Sequence, residues 1–106
     1  MAKYLFLATF SAEGKRGLLK DGGTKRAEAI SKLVSDAGGS LESFHFAFGE
    51  ADACLIADVP DAKTAAALSL NASASGAVNV RTVALMTPAE FDEACGAQVV
   101  YVPPGA

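Results

Sequence analysis

An α+β fold built on one antiparallel sheet is predicted for this chain, on three observations. Strand-like and helix-like segments follow one another in the order strand, helix, strand, strand, helix, strand. The 106 residues contain no Pro-, Ser- or charge-rich linker, so a single domain over 1–106 with one core is expected. The apolar fraction of 51% is generous for a monomer of this size, which assigns part of the apolar surface to contact with another copy.

Lys3 to Phe10 reads as the first strand. Alternate side chains of a strand point to opposite sides, so Tyr4, Phe6, Ala8 and Phe10 share one face while Leu5 and Leu7 stand on the other between Lys3 and Thr9. Both faces are apolar. Ser11 to Ala37 is helical in composition but carries Asp21-Gly22-Gly23, which divides it in two. Thr24 is the expected cap of the second piece, whose Ala27, Ile30, Leu33, Val34 and Ala37 recur at the spacing of a buried stripe. Gly38-Gly39 stops that helix.

Leu41 to Phe48 and Ala51 to Val59 read as a hairpin, with Gly49-Glu50 suited to a type II′ turn. Asp61 is placed to cap an Ala-rich helix reaching about Ala74, closed by Gly76. Ala77 to Met86 is the fourth strand, with Asn79 and Arg81 on one face. Thr87-Pro88-Ala89-Glu90 has the form of a capping box with proline at the first helical position, flanked by Met86 and Phe91 as a hydrophobic staple. That short helix ends near Cys95-Gly96. Gln98 to Val102 is extended, and Pro103-Pro104 forbids further helix, so the tail is a candidate edge strand for this subunit or its neighbour.

This order is that of the ferredoxin-like βαββαβ fold, with strands in spatial order 4-1-3-2, all antiparallel, and the helices on one face. A short C-terminal helix and an extended tail are additional. The face without helices would normally be polar, yet the first strand is apolar on either side. Two subunits closing their sheets together resolve that conflict. Burying roughly a few hundred Å² of apolar area per subunit contributes on the order of 10 kcal/mol before association costs.

Nine Lys and Arg against twelve Asp and Glu give a net charge of −3, which argues against broad phosphate-driven nucleic-acid binding. No segment reaches bilayer-spanning length, and the N-terminus lacks the pattern of a secretory signal; a soluble cytoplasmic protein is expected, with no membrane partner. Cys54 and Cys95 form no CxxC pair, so reduced thiols are the default and zinc by sequence spacing is excluded.

A two-residue hairpin turn places Ala47 opposite Asp52, His45 opposite Cys54 and Ser43 opposite Ile56. Phe44, Phe46, Phe48, Ala53 and Leu55 then form a core face, and His45, Asp52, Cys54 and Asp58 the other. Asp52 is a diagonal neighbour of His45, able to fix its tautomer if the histidine is a general base or a ligand-orienting donor. Against this stands a histidine satisfied at a subunit contact. Cys54 opposite His45 reads as a small buried thiol before it reads as half of a thiolate dyad. Arg81 is a cation for an acidic ligand, or the ion-pair partner of Asp52 or Asp58.

Lys15, Arg16, Lys20, Lys25 and Arg26 are interleaved with Gly14, Gly17, Gly22 and Gly23. Gly17 to Thr24 approaches phosphate-loop spacing, but Gly23 occupies the lysine position, and nucleotide hydrolysis is rejected. The glycines precede a helix start, where free backbone N–H groups favour an anion, while a solvated basic helix face is the preferred account of the segment.

Lys3-Tyr4-Leu5-Phe6-Leu7, Gly22-Gly23-Thr24-Lys25-Arg26, Phe46-Ala47-Phe48-Gly49-Glu50-Ala51-Asp52 and Tyr101-Val102-Pro103-Pro104-Gly105 together resemble the GYD family over nearly the whole chain. The resemblance implies a ferredoxin-like subunit of the dimeric α/β-barrel type, a homodimer or larger homo-oligomer, and brings no established activity. Gly49 and Asp52 match the family's Gly-Tyr-Asp signature, whereas Ala51 stands at the tyrosine position. The glycine–aspartate hairpin also looks like the ligand-sensing domain of leucine-responsive regulators. The preferred expectation is a homo-oligomeric module binding a small organic molecule between packed sheets or at their rim, using His45, Asp52, Arg81 and Cys54, with no cofactor and no metal. A cofactor-independent monooxygenase or isomerase relying on His45 is the first alternative, a structural oligomer without ligand the second.

Overall fold

The computed structural model describes residues 1–106. Its elements are β1 (Ala2–Phe10), α1 (Ala12–Asp21), α2 (Gly23–Asp36), β2 (Ser40–Phe46), β3 (Ala53–Val59), α3 (Ala62–Ala74), β4 (Val78–Ala84) and α4 (Pro88–Gly96). The four strands form one antiparallel sheet in the order β2-β3-β1-β4, the arrangement expected from the sequence. It is an α+β architecture compatible with the ferredoxin-like fold.

The two faces of β1 part as follows. Phe6, Ala8 and Phe10 are buried beneath the helices with Leu55, Ala57 and Val59 of β3, Val34 of α2 and Ala65 of α3. Leu5 and Leu7 are only half-buried on the opposite face. Because both sets are apolar, alternation alone could not assign the inward one. The rings of Phe6 and Phe10, with half-buried Tyr4 packed beside them, fill the space under the helices better than two leucines and a lysine would.

Local signals decide several boundaries. Ser11 caps α1 by accepting from Gly14 N–H, and Asp61 caps α3 by accepting from Thr64 N–H. The capping box of α4 is complete: Glu90 N–H donates to Thr87 Oγ1 at 3.1 Å, and Thr87 N–H donates to Glu90 Oε1 at 2.9 Å. Thr24, by contrast, does not cap α2. The cap position belongs to Gly22, which makes no side-chain bond and lies at φ 82°, ψ 171°. One residue ends α1 and begins α2, so no position is left for a threonine cap.

The hairpin differs from expectation in its turn and agrees in its register. Gly49 has no positive φ, so no type II′ turn forms, and β2 ends at Phe46 rather than Phe48 while β3 begins at Ala53. The last link is Ala47 N–H to Asp52 C=O at 2.8 Å, which leaves a loop of four residues, 48–51. Lengthening a two-residue loop by two preserves parity, so His45 still opposes Cys54 and Ser43 opposes Ile56. Phe48 is fully exposed and takes no part in the core, and Phe46 is itself 41% exposed beside Phe44.

The stripe on α2 is also shallower than its spacing implies, since Val34 alone is buried and Leu33 is largely exposed. Close backbone approach explains two glycines. A Cβ on Gly14 would stand 2.1 Å from the Ala77 carbonyl oxygen, and one on Gly39 would stand 2.2 Å from that of Asp58. α1 and the α2–β2 turn can therefore lie directly on neighbouring strand ends.

From Met86 onward every residue is exposed. Met86 and Phe91, at the staple positions, remain 64% and 60% exposed, and the tail beyond α4 pairs with no strand of its own subunit. This arm stretches the molecule to 56 × 32 × 23 Å with a radius of gyration of 16.8 Å. A chain of about 100 residues packed into a sphere-like domain gives about 13 Å. No helix is long and apolar enough to cross a membrane.

Candidate functional site

The face of the sheet opposite the helices is organised in rows, because residues directly paired across antiparallel strands point to the same side. At one end Lys3 Nζ bridges Glu42 Oε2 at 2.6 Å and Asp58 Oδ2 at 3.2 Å. Glu42 reaches the lysine because β2 is irregular between Leu41 and Ser43. Hydrogen bonding to Glu42 first, and to Asp58 second, raises the Lys3 pKa above its ordinary 10.5. Next comes a row of Ser43, Ile56, Leu5 and Val83, then a row of His45, Cys54, Leu7 and Arg81, then Thr9 and Asn79.

His45 and Cys54 are therefore neighbours, as expected from the hairpin. Arg81 shares their row but stands on the far edge strand, three strand spacings from His45, or roughly 14 Å within one subunit. It belongs to no ion pair, and Asp58 is engaged by Lys3 instead.

The expected His45–Asp52 hydrogen bond is not formed. Asp52 Oδ2 accepts from Phe10 N–H at 2.9 Å, Asp52 N–H donates to the Ala8 carbonyl at 2.8 Å, and the Asp52 carbonyl receives Ala47 N–H. The aspartate thus ties the end of β1 to the hairpin. Its other carboxylate oxygen, Oδ1, takes no hydrogen bond within the subunit. No group of three or more His, Cys, Asp or Glu side chains is placed to hold a metal ion.

The cavities of the subunit lie on the other face, away from the site residues singled out in the sequence. A cleft of about 720 Å³ opens between α1, α2 and α3, with Phe10 and Val78 toward the sheet and Lys25, Arg26 and Asn71 among its polar residues. A crevice of about 60 Å³ lies between the sheet and the helices, with Arg26 and Ser69 as its polar lining residues among thirteen hydrophobic ones. The space exists because the walls carry Gly17, Ala29, Ala67 and Ala72, where longer side chains would close it. The signal was present as an alanine-rich α3 and a glycine-bearing α1. It becomes a cavity only when tertiary structure sets those small faces toward each other.

Residues 4–95, from the third residue of β1 to the penultimate residue of α4, match the GYD domain family. The chain belongs to the GYD family. No curated protein and no solved structure matches it significantly. Within this GYD domain the signature glycine and aspartate have different standing. Asp52 holds the hairpin to β1, whereas a Cβ on Gly49 would meet nothing within 4 Å and its φ is not left-handed. Nothing inside the subunit requires glycine there.

Proposed function

We propose that this GYD protein is a homo-oligomeric binding module in which two subunits close their open sheet faces on each other, enclosing or rimming a site for a small organic molecule. The observation that carries this reading is the apolar band of Leu5, Leu7, Ile56 and Val83 on the face that no helix covers, with Val83 42% exposed. Such a band is expensive in water and gains free energy when a second copy covers it. His45, Cys54 and Arg81 flank the band as polar groups for an organic ligand, and Asp52 contributes Oδ1 at its edge. A facing subunit also supplies its own Arg81 and His45, so groups roughly 14 Å apart in one sheet need not be distant in a pair.

Two further features support an assembly. The arm from Met86 onward carries Val99, Val100, Tyr101 and Val102 exposed and outside any helix or strand of the subunit, a segment whose residue types suit adding a strand to a neighbour. Gly49 offers a bare backbone at the hairpin tip, where another chain can approach closely. The enzyme reading draws no comparable support, because Asp52 does not orient His45 and neither principal cavity of the subunit includes the imidazole.

Sedimentation equilibrium of the purified protein at micromolar concentration tests the assembly, with a mass of at least twice 10.8 kDa expected. A single 10.8 kDa species across that range would refute it.

A further inference from the structure

The helix-side cleft has a charge arrangement that the sheet face lacks. Two cations and two carboxylates line it: Lys25, Arg26, Glu13 and Asp21. Lys25 Nζ stands 3.7 Å from Asp21 Oδ1, an i,i+4 pair within the α1–α2 junction. Glu13 is exposed on the first turn of α1 and borders the wide outer cleft, not the inner crevice.

Arg26 is different. It is half-buried, belongs to no ion pair and makes no side-chain hydrogen bond within the subunit. It alone among charged residues borders both the outer cleft and the inner apolar crevice. A guanidinium at the junction of a polar mouth and an apolar floor has five N–H donors, and none of them is taken up by a hydrogen bond or ion pair within the subunit. Its best complement is a planar anion whose remaining atoms are apolar.

We propose that this cleft binds a carboxylate bearing an apolar chain or ring, with the carboxylate paired to Arg26 and the apolar body lying over Phe10, Ile30, Leu68 and Val78. The volume of about 720 Å³ lies within the range of small-molecule sites, roughly 300–1,000 Å³. The inner crevice, at about 60 Å³, takes only the tip of the ligand. A bidentate guanidinium–carboxylate pair supplies orientation, and the floor supplies the apolar contribution to affinity. The cleft is complete in one subunit, so this inference does not depend on the sheet-to-sheet assembly proposed above.

The test titrates octanoate, 1-octanol and inorganic phosphate into the full chain while recording backbone amide shifts by NMR. Octanoate should shift amides of α2, α3 and the end of β1, with 1-octanol at least tenfold weaker and phosphate alone producing no saturable shift. Arg26→Gln should weaken octanoate at least tenfold and leave 1-octanol unchanged. Arg26→Lys should recover part of the loss, because it restores charge without the fork. Ala29→Phe, at an exposed wall position, should block both ligands while leaving the fold spectrum intact. Equal octanoate affinity in wild type and Arg26→Gln would overturn the proposal. So would 1-octanol binding as tightly as octanoate, phosphate saturating the same amides alone, or shifts confined to Leu5, Leu7 and Ile56 on the sheet face. A variant weakened in self-association, such as Leu7→Lys, should bind octanoate as wild type does, which separates this outcome from the fate of the oligomer.

Discussion

The carboxylate of Asp52 accepts the backbone N–H of Phe10 at 2.9 Å, joining the hairpin to the end of β1 across 42 positions of sequence. Phe10 lies beyond the last β1–β3 pair, Ala8 with Ala53, so a side chain replaces the missing strand acceptor. Asp52→Ala should therefore destabilise the domain by about 1.5–3 kcal/mol, the range for hydrogen bonds to charged groups. Asp52→Asn, which keeps an acceptor oxygen, should lose less. Urea denaturation midpoints measure both, and an unchanged midpoint in Asp52→Ala would remove the structural role.

Two glycines of α1 should respond in opposite directions to the same substitution. Gly17→Ala replaces a poor helix former where a Cβ meets nothing within 4 Å, and should stabilise by about 1 kcal/mol. Gly14→Ala places a methyl 2.1 Å from the Ala77 carbonyl oxygen and should destabilise by about 1–3 kcal/mol despite the gain in helix propensity. Thermal unfolding followed by circular dichroism separates the two, and shifts of the same sign would count against the close approach of α1 to β4.

Leu7→Lys places a charge in the middle of the uncovered band without touching the helix-side core. The expected result is a shift toward the 10.8 kDa species in sedimentation velocity, with the far-UV spectrum unchanged. An assembly indifferent to this charge would mean that the sheet face is not the contact.

Thiol labelling reports on the same contact from inside. Cys54 sits half-buried in the row with His45 and Leu7, and Cys95 is exposed on α4. In the wild type, iodoacetamide should modify Cys95 several-fold faster than Cys54 by mass spectrometry. In Leu7→Lys the Cys54 rate should rise. Equal rates for Cys54 in both proteins would argue that no partner covers it.

Acid should weaken the domain through its helix caps. The backbone N–H of Thr64, and secondarily its hydroxyl, hold the Asp61 carboxyl below its ordinary 3.8, and Thr87 N–H holds Glu90 below 4.5. A carboxylate whose folded pKa is depressed contributes fully above its unfolded value and loses that contribution as pH falls through the folded one. Denaturation midpoints should therefore decline from about pH 5 to about pH 3. The decline should be shallower in Asp61→Asn, and parallel curves would show that the cap is not titrating.

The parts of this fold legible in the sequence are those set by neighbours in the chain. Thr87, Pro88 and Glu90 build their capping box within one turn, and Asp61 caps α3 from the adjacent position. Hairpin parity was legible too, since His45 opposes Cys54 whether the loop holds two residues or four. What needed the third dimension was less accessible. Leu5 and Phe6 are equally apolar, so only packing beneath helices decides which faces inward. Asp52 looked available for His45 because the sequence carries no sign of an unpaired N–H on Phe10. In sequence Arg26 is one charge of a basic segment, since its place at the junction of two cavities depends on the separation of α2 from α3.

Gly22 is the whole of the connection between α1 and α2, and those two helices form two of the three walls of the cleft. Any change in their mutual angle has to be absorbed by one pair of torsions, already in a region that a side chain would resist. The width of the cleft over Arg26 is thus tied to the backbone torsions of a single glycine. For the carboxylate ligand proposed above, stiffening that pivot would alter how fast the guest enters and leaves while the floor that receives it stayed unchanged.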